Sequence, residues 1–176
     1  MLISGLTAKN AAPMKPYLGS LAYTISCLRE LYRKYSCTLD LEIDDGKHFI
    51  SNVNTQYLQI YNGKFGGGRI MLNPFGLIND GYMELCYRPD LITTAFGIWM
   101  FIQPGGTHFY DSGFTTYRCQ SCKIINKNQT RGEVAEDINI DGEDLTFKNF
   151  VKYRVVPSSI EVIVDFDEIY QKTYRQ

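Results

Sequence analysis

The feature that most constrains this fold is a run of three consecutive glycines, Gly66 to Gly68. Glycine adopts backbone angles that other residues do not tolerate, and it loses more conformational entropy on folding than they do. A run of glycines in an ordinary solvent loop therefore lowers stability without an evident purpose. We therefore expect the backbone here to lie close to another group. The alternating segment Gln56 to Tyr61 predicts a strand before the run. Since strand-like Arg69 to Leu72 follows it, the run lacks the helix N-terminus that holds phosphate in nucleotide-binding loops.

The clearest helix in the sequence runs from Leu18 to Tyr35, where apolar residues recur at steps of three and four. We predict that this apolar side lies on the core and that Arg29, Glu30, Arg33 and Lys34 face outward. The apolar side consists of Leu18, Leu21, Ala22, Ile25, Leu28, Leu31 and Tyr32.

Short alternating segments account for most of the remaining chain. Asp45-Gly46 predicts a hairpin turn between the strands Thr38 to Asp44 and His48 to Ile50. A segment of helical length spans Leu91 to Phe101. Further strands are predicted over Tyr82–Tyr87, Thr115–Ile125, Val134–Ile140, Phe150–Val156 and Ile160–Phe166. This order predicts an α+β fold, mostly an antiparallel β-sandwich with a few peripheral helices, in one domain over residues 1–176.

Composition excludes several classes of protein. The net charge is -1 and no basic stripe is present, so nucleic-acid binding is not expected. The longest apolar stretch, Ala95 to Ile102, is far shorter than the ~20 residues that span a bilayer, and no signal-peptide pattern is visible. We therefore expect a soluble, cytoplasmic chain. Cys119 and Cys122 either belong to a zinc site or pack with one thiol in the core and the other facing outward.

Several short motifs stand in a characteristic order along the chain. They are Gly5–Ala8, Leu18–Tyr23, Tyr61–Gly68, Pro74, Asn79–Gly81, Ile140–Glu143 and Val156–Ile160. In this order and approximate spacing, the chain resembles the C-terminal lipid-binding domain of the diacylglycerol kinase and sphingosine kinase superfamily of lipid kinases. The resemblance covers most of the chain.

The resemblance implies a division of labour between two domains. In that family a preceding domain carries the glycine-rich loop that binds the nucleotide, and we expect this N-terminal nucleotide-binding domain to be absent here. ATP is the implied co-substrate, bound mainly by that domain, so the isolated chain is expected to be inactive. The implied partners are a lipid substrate, a membrane surface contacted peripherally and a second copy in a homodimer.

The resemblance also implies a magnesium site at the turn around Asp80. In the bacterial diacylglycerol kinase members, the matching carboxylate holds Mg²⁺ together with the backbone carbonyls at the positions of Leu77 and Tyr82. The alternative is an Asx-type turn in which Asp80 binds its own backbone, and both stay open. Asn79 stands where the family has the first of two acids, and Phe75 replaces an aspartate, which weakens cation affinity.

A second implied site lies in the sequence Asp141-Gly-Glu143. Glu143 matches the glutamate assigned as proton acceptor in the bacterial members, a role that phosphoryl transfer to a lipid hydroxyl requires. Asp141 and the glycines Gly66, Gly67 and Gly68 are the implied substrate-binding residues. The alternative for the acidic motif is a solvated hairpin turn.

The sequence thus predicts the substrate-binding and part-catalytic half of an ATP-dependent lipid kinase that phosphorylates a hydroxyl of diacylglycerol or a sphingoid base. A non-catalytic remnant or regulatory module that binds lipid or protein is the alternative from another class. An unrelated β-sandwich binding module is the third interpretation.

Overall fold

The computed structural model describes residues 7, 9–19, 21–33, 36–66, 70–89, 113–127, 136–141 and 143–161. Residues 9–11 are helical, and two helices follow them, α1 (Lys15–Leu18) and α2 (Leu21–Arg33). The strands are β1 (Cys37–Ile43), β2 (His48–Thr55), β3 (Tyr57–Tyr61), β4 (Phe65–Gly66), β5 (Ile70–Met71), β6 (Met83–Arg88), β7 (Thr115–Cys119), β8 (Ser121–Asn126), β9 (Glu136–Ile140), β10 (Glu143–Phe147) and β11 (Phe150–Arg154). The helix predicted over Leu91–Phe101 lies outside the described residues, as does nearly all of the strand predicted over Ile160–Phe166.

The strands form antiparallel sheets around one hydrophobic core. A four-stranded sheet has the order β11-β8-β1-β2, and a three-stranded sheet has the order β3-β6-β7. The hairpins β9–β10 and β4–β5 form two further two-stranded sheets. The buried core draws on both larger sheets and on the β9–β10 hairpin, through Leu39, Leu41, Ile124, Leu58, Leu85, Ile138 and Phe147. This arrangement confirms the predicted α+β class with sheets packed as a sandwich.

The segment predicted as one strand over Thr115–Ile125 is two strands in different sheets. It breaks at Gln120, so that β7 pairs with β6 while β8 pairs with β1. The Asp44 carboxylate accepts hydrogen bonds from the backbone N–H groups of Gln120 and Ser121, at 2.8 and 3.2 Å. These bonds satisfy the backbone donors at the break, which alternation of side chains does not reveal. The sequence pattern also did not predict strand β10.

The predicted hairpin turn at Asp45-Gly46 is confirmed. Asp44, Asp45 and Gly46 all have positive φ angles, 50°, 53° and 93°, which match a tight turn between antiparallel strands. The strands it joins, β1 and β2, pair from Ile43 and His48 outward, with a register shift between Leu39 and Leu41.

The predicted first helix is shorter than expected, and most of its predicted apolar side faces outward. Gly19, with φ of 55°, separates α1 from α2. The side of α2 that packs inward carries Ala22, Ser26 and Glu30, which are all buried. Leu21 and most of the predicted apolar side are exposed instead, so that prediction is wrong.

Hydrogen bonds explain why this polar side of α2 tolerates burial. The Ser26 hydroxyl donates to the Thr7 carbonyl at 2.9 Å, and Asn10 Nδ2 donates to Glu30 Oε1 at the same distance. Buried polar groups cost little when they are paired in this way. The helix therefore presents small and polar residues to the segment before it. Within the described ranges, no helix is long and apolar enough to cross a membrane.

Both cysteines of the C-x-x-C sequence lie in the core. Cys119 and Cys122 are almost fully buried, and burial raises the pKa of each thiol to about 12. The expectation that one of the two faces outward is therefore wrong. Among the residues that the structure describes, no group of three or more His, Cys, Asp or Glu residues could hold a metal ion.

Candidate functional site

A close approach of two backbone segments lies near the glycine run, between Gly63 and Gly76. A Cβ atom on Gly76 would lie 2.6 Å from the backbone carbon and oxygen of Gly63, a distance that real Cβ atoms do not show. The Lys64 carbonyl accepts hydrogen bonds from the backbone N–H groups of Leu72 and Asn73, each at 3.0 Å. Backbone contacts and hydrogen bonds therefore hold the segment after β3 against the turn before β6.

Of the glycine run, the structure describes Gly66 alone. Gly66 ends β4 and pairs with Ile70 of β5. Gly67 and Gly68 lie outside the described residues.

Asp80 lies in the turn that leads into β6, and both of its carboxylate oxygens accept hydrogen bonds. Oδ1 accepts the backbone N–H of Tyr82 at 2.9 Å, which is the Asx-type bond. Oδ2 accepts from Arg118 Nη2 at 2.8 Å. The Arg118 guanidinium also lies over the Tyr82 ring, 4.4 Å from its centroid. Arg118 therefore contacts both the acid and the aromatic residue of this turn.

The geometry around Asp80 does not fit a magnesium ion. A magnesium site needs carboxylate oxygens that are free to face the ion and neighbours that tolerate a further positive charge. Here one oxygen binds the backbone of Tyr82, and the other already faces the positive charge of Arg118. The side chain of Asp80 is 13% exposed and that of Arg118 is 54% exposed. The arginine thus takes the place beside Asp80 that the resemblance assigned to a metal.

Sequence reasoning missed Arg118. It reaches Asp80 because β7 pairs with β6 in a register that places Arg118 opposite Glu84. The two residues of the ion pair are 38 positions apart, and the pairing of β6 with β7 brings them together.

Next to this turn lies a buried acid that sequence reasoning also missed. Glu84 is 3% exposed and Asn73 is fully buried, and Asn73 Nδ2 donates to Glu84 Oε2 at 2.9 Å. Burial raises the pKa of Glu84 and the charge of Asp80 raises it further, while the hydrogen bond from Asn73 and the charge of Arg118 lower it. Asn73 Oδ1 accepts the Phe75 N–H at 3.2 Å, so one amide links the buried acid to the turn.

The acidic motif forms the hairpin between β9 and β10. Asp141 has a positive φ of 49°, and Glu143 opens β10 opposite Ile140. Both acidic side chains are exposed. The hydrogen bonds and ion pairs among the described residues do not join either of them to Asp80. The structure therefore places Glu143 at the start of a strand, directly after the turn.

A surface depression of about 490 Å³ borders the Asp80 turn. The β1–β2 turn, the break between β7 and β8, and the chain at the end of β11 all contribute to its lining. The lining residues are Asp44, Asp45, Lys47, Gly81, Gln120, Ser121, Arg154, Val155 and Pro157. Asp45 accepts from Lys152 at 2.7 Å and pairs with Arg154 at 3.3 Å. The hydrogen bond from Lys152 lowers the pKa of Asp45 most. Charges of both signs line the depression, which suits a polar group better than an acyl chain.

Comparison with known proteins finds two curated relatives that share one description. No family model matches the chain. It is 27% identical over 161 residues to "Probable lipid kinase YegS-like" of Pectobacterium atrosepticum, a match over 88% of this chain and 47% of that protein. It is 26% identical over 160 residues to the protein of the same name from Stenotrophomonas maltophilia, over 89% of this chain and 48% of that protein. The chain therefore spans about half the length of the curated relatives it matches.

Solved structures show the same fold. The crystal structure of "a putative diacylglycerol kinase from Bacillus anthracis str. Sterne" matches with a TM-score of 0.57 and 16% identity, over 85% of this chain and 49% of that one. A second structure of that description gives a TM-score of 0.58, over 82% of this chain and 46% of that one. The solved structures thus share the fold of this chain. The curated relatives, both described as lipid kinase-like, support the resemblance to lipid kinases drawn from the motifs.

Proposed function

We propose that this chain is the substrate-binding and part-catalytic portion of an ATP-dependent lipid kinase that phosphorylates a hydroxyl of diacylglycerol or of a sphingoid base. The observation that carries the proposal is the match to lipid kinase-like proteins over 88% of the chain. It is supported by the shared fold, in which the motif residues fall at strand ends and turns. Functional groups are often displayed at such positions.

Glu143 is the proposed proton acceptor for the lipid hydroxyl. Its carboxylate is exposed at the start of β10, so a substrate oxygen can approach it. Phosphoryl transfer depends mainly on positioning and on charge stabilisation, and a carboxylate that takes the hydroxyl proton aligns the attacking oxygen. Asp141 and the glycines Gly66 to Gly68 are the proposed substrate contacts.

ATP is the proposed co-substrate, and we assign its binding mainly to the part of the relatives that this chain does not match. Magnesium belongs to the proposal only as the ion that accompanies the nucleotide phosphates, where it neutralises charge that develops during transfer. Since a membrane lipid is the proposed substrate, peripheral contact with a membrane from the cytoplasm is also part of the proposal.

A kinase assay on the full protein that carries this chain tests the catalytic role. We expect transfer of labelled phosphate from ATP to diacylglycerol or sphingosine in mixed micelles. Glu143→Gln is expected to lower kcat by about a hundredfold or more, because it removes the proton acceptor. Glu161→Gln, a change of another exposed glutamate, is the matched control and should leave kcat unchanged.

Two results would contradict this proposal. One is full activity in the Glu143→Gln variant, which would remove the assignment of the base. The other is a folded full protein that transfers phosphate to neither lipid. That second result, combined with retained lipid binding, would favour the alternative of a non-catalytic lipid-binding module, to which the departure from the metal pattern at Asp80 already points.

A further inference from the structure

The outward side of α2 is an apolar stripe. Leu21, Ile25, Leu28 and Tyr32 are 54%, 41%, 37% and 81% exposed. Successive members are four, three and four residues apart, so their side chains lie along one line of the helix. Surface residues that are apolar and contiguous mark interaction sites more often than isolated ones do.

The stripe cannot turn inward without breaking the other side of the helix. Ala22, Ser26 and Glu30 are buried there at steps of four. The Ser26 hydroxyl is bound to the Thr7 carbonyl, and Glu30 accepts from Asn10. Rotating α2 to bury the stripe would break these hydrogen bonds and leave the partners of Ser26 and Glu30 unsatisfied, which carries a desolvation cost. The packing therefore holds the stripe outward.

The stretch of chain that carries the stripe is mostly basic among its charged residues. Over residues 9–33 the sequence carries Lys9, Lys15, Arg29 and Arg33 against a single acid, Glu30. Since Glu30 is buried, no acidic side chain in this stretch balances the exposed Lys15 and Arg29. Apolar residues flanked by Lys and Arg are typical of helices that lie in the interface of an anionic bilayer.

Aromatic residues at the ends of this surface agree with such a position. Tyr17 in α1 is 86% exposed and Tyr32 near the end of α2 is 81% exposed. Tyrosine is enriched where a membrane meets water because its ring is apolar and its hydroxyl is polar. The Lys15 ammonium lies 5.7 Å from the ring centroid of Tyr23, which keeps a positive charge beside the helix.

A second copy of the chain fits this surface less well. Two helices paired through their apolar stripes need flanking charges of opposite sign to fix their register. Here Lys15 and Arg29 would face basic residues of the other copy, and the one acid of the stretch is buried. A surface of negative charge meets no such repulsion.

We propose that the outward side of α2 is the membrane-contact surface of this protein. Leu21, Ile25, Leu28 and Tyr32 enter the boundary between headgroups and acyl chains, and Lys15 and Arg29 contact anionic headgroups. The inference deepens the proposed function, on which it rests for the expectation that the protein meets a bilayer at all.

Vesicle flotation without ATP tests this inference. The full protein is mixed with phosphatidylcholine vesicles that contain or lack phosphatidylglycerol. We expect binding to the anionic vesicles, and a fall of about tenfold or more in the ratio of bound to free protein for Ile25→Ser/Leu28→Ser. Arg29→Gln is expected to weaken binding at low salt by a smaller factor that shrinks as salt is added. The matched control, Val156→Ser/Ile160→Ser, changes apolar residues that are exposed elsewhere and should bind as wild type does.

Circular dichroism and the urea midpoint establish that each variant is folded. Binding of Ile25→Ser/Leu28→Ser at the wild-type level would overturn the inference, as would an equal loss in the control. A dimer in solution that this double substitution dissociates, without any vesicle binding, would assign the surface to a second copy instead. Vesicle binding that survives in a protein without kinase activity would overturn the proposed function alone. Kinase activity on a short-chain soluble substrate, without vesicle binding, would overturn the docking surface alone.

Discussion

Replacing Arg118 by methionine tests whether this arginine acts as a built-in cation at the Asp80 turn. Methionine keeps most of the apolar stem and removes the charge. Two contacts are lost, the 2.8 Å bond to Asp80 Oδ2 and the stacking 4.4 Å from the Tyr82 ring centroid. Because Arg118 is about half exposed, solvent limits the ion pair to about 0.5–1 kcal/mol. The cation–π contact adds about 0.5–1 kcal/mol, so the free energy of unfolding should fall by about 1–2 kcal/mol.

Urea denaturation followed by circular dichroism measures this loss, provided that the slope with denaturant is unchanged. Arg118→Lys should recover part of it, since lysine keeps the charge but not the planar stacking group. Arg154→Met is the matched control, because Arg154 pairs with the exposed Asp45 and should leave the midpoint close to wild type. Magnesium should not stabilise the wild type and should raise the midpoint of Arg118→Met, in which Asp80 has lost its cation. Wild-type stability in Arg118→Met, or stabilisation of the wild type by magnesium, would refute the reasoning.

Three further predictions concern the surroundings of this turn and the core. Because burial raises the pKa of Glu84, the stability that its carboxyl contributes is fully present below the unfolded value of about 4.5 and is lost as the pH rises through the folded value. Glu84→Gln should therefore gain stability over wild type as the pH rises above 4.5, and urea midpoints that differ by a constant amount at every pH would contradict this. Gly76→Ala should lower the free energy of unfolding, measured with urea, by about 1–3 kcal/mol, because its Cβ would meet the Gly63 backbone at 2.6 Å. An unchanged free energy of unfolding would show that the turn moves freely. Leu85→Ala, at a fully buried position of β6, should lower the free energy of unfolding by about 2–5 kcal/mol. Leu145→Ala, at a half-exposed position, should leave it nearly unchanged. Equal losses in the two variants would count against the described core.

The sequence predicted most strands because the core faces of β1, β3 and β6 impose a repeating apolar pattern on the chain. It predicted the β1–β2 turn because Asp45-Gly46 suits the positive φ angles found there. It failed where a strand changes sheet, because one strand was predicted from Thr115 to Ile125 although the buried positions shift from odd numbers in β7 to even numbers in β8. The donors at that break are satisfied by Asp44, 76 positions away from Gln120, which no local pattern reports.

The local backbone setting of the candidate residues was predictable, and their spatial neighbours were not. Asp80 and Glu143 fall at a turn and at a strand end, as the motifs indicated. The cation beside Asp80 was not predictable, because Arg118 becomes its neighbour only through the pairing of β6 and β7. The predicted orientation of α2 was wrong for a related reason. Ser26 and Glu30 can be buried because residues before the helix supply hydrogen-bond partners for them.

The buried cysteines give this protein a set of intrinsic chemical probes. Cys37 and Cys122 lie in the four-stranded sheet, and Cys86 and Cys119 lie in the three-stranded sheet, all with almost no exposure. Since only the thiolate reacts with alkylating reagents and burial raises the pKa of the Cys86, Cys119 and Cys122 thiols, modification should require local opening. The rates at which these positions become labelled would then show, without any added reporter group, which of the two sheets opens first.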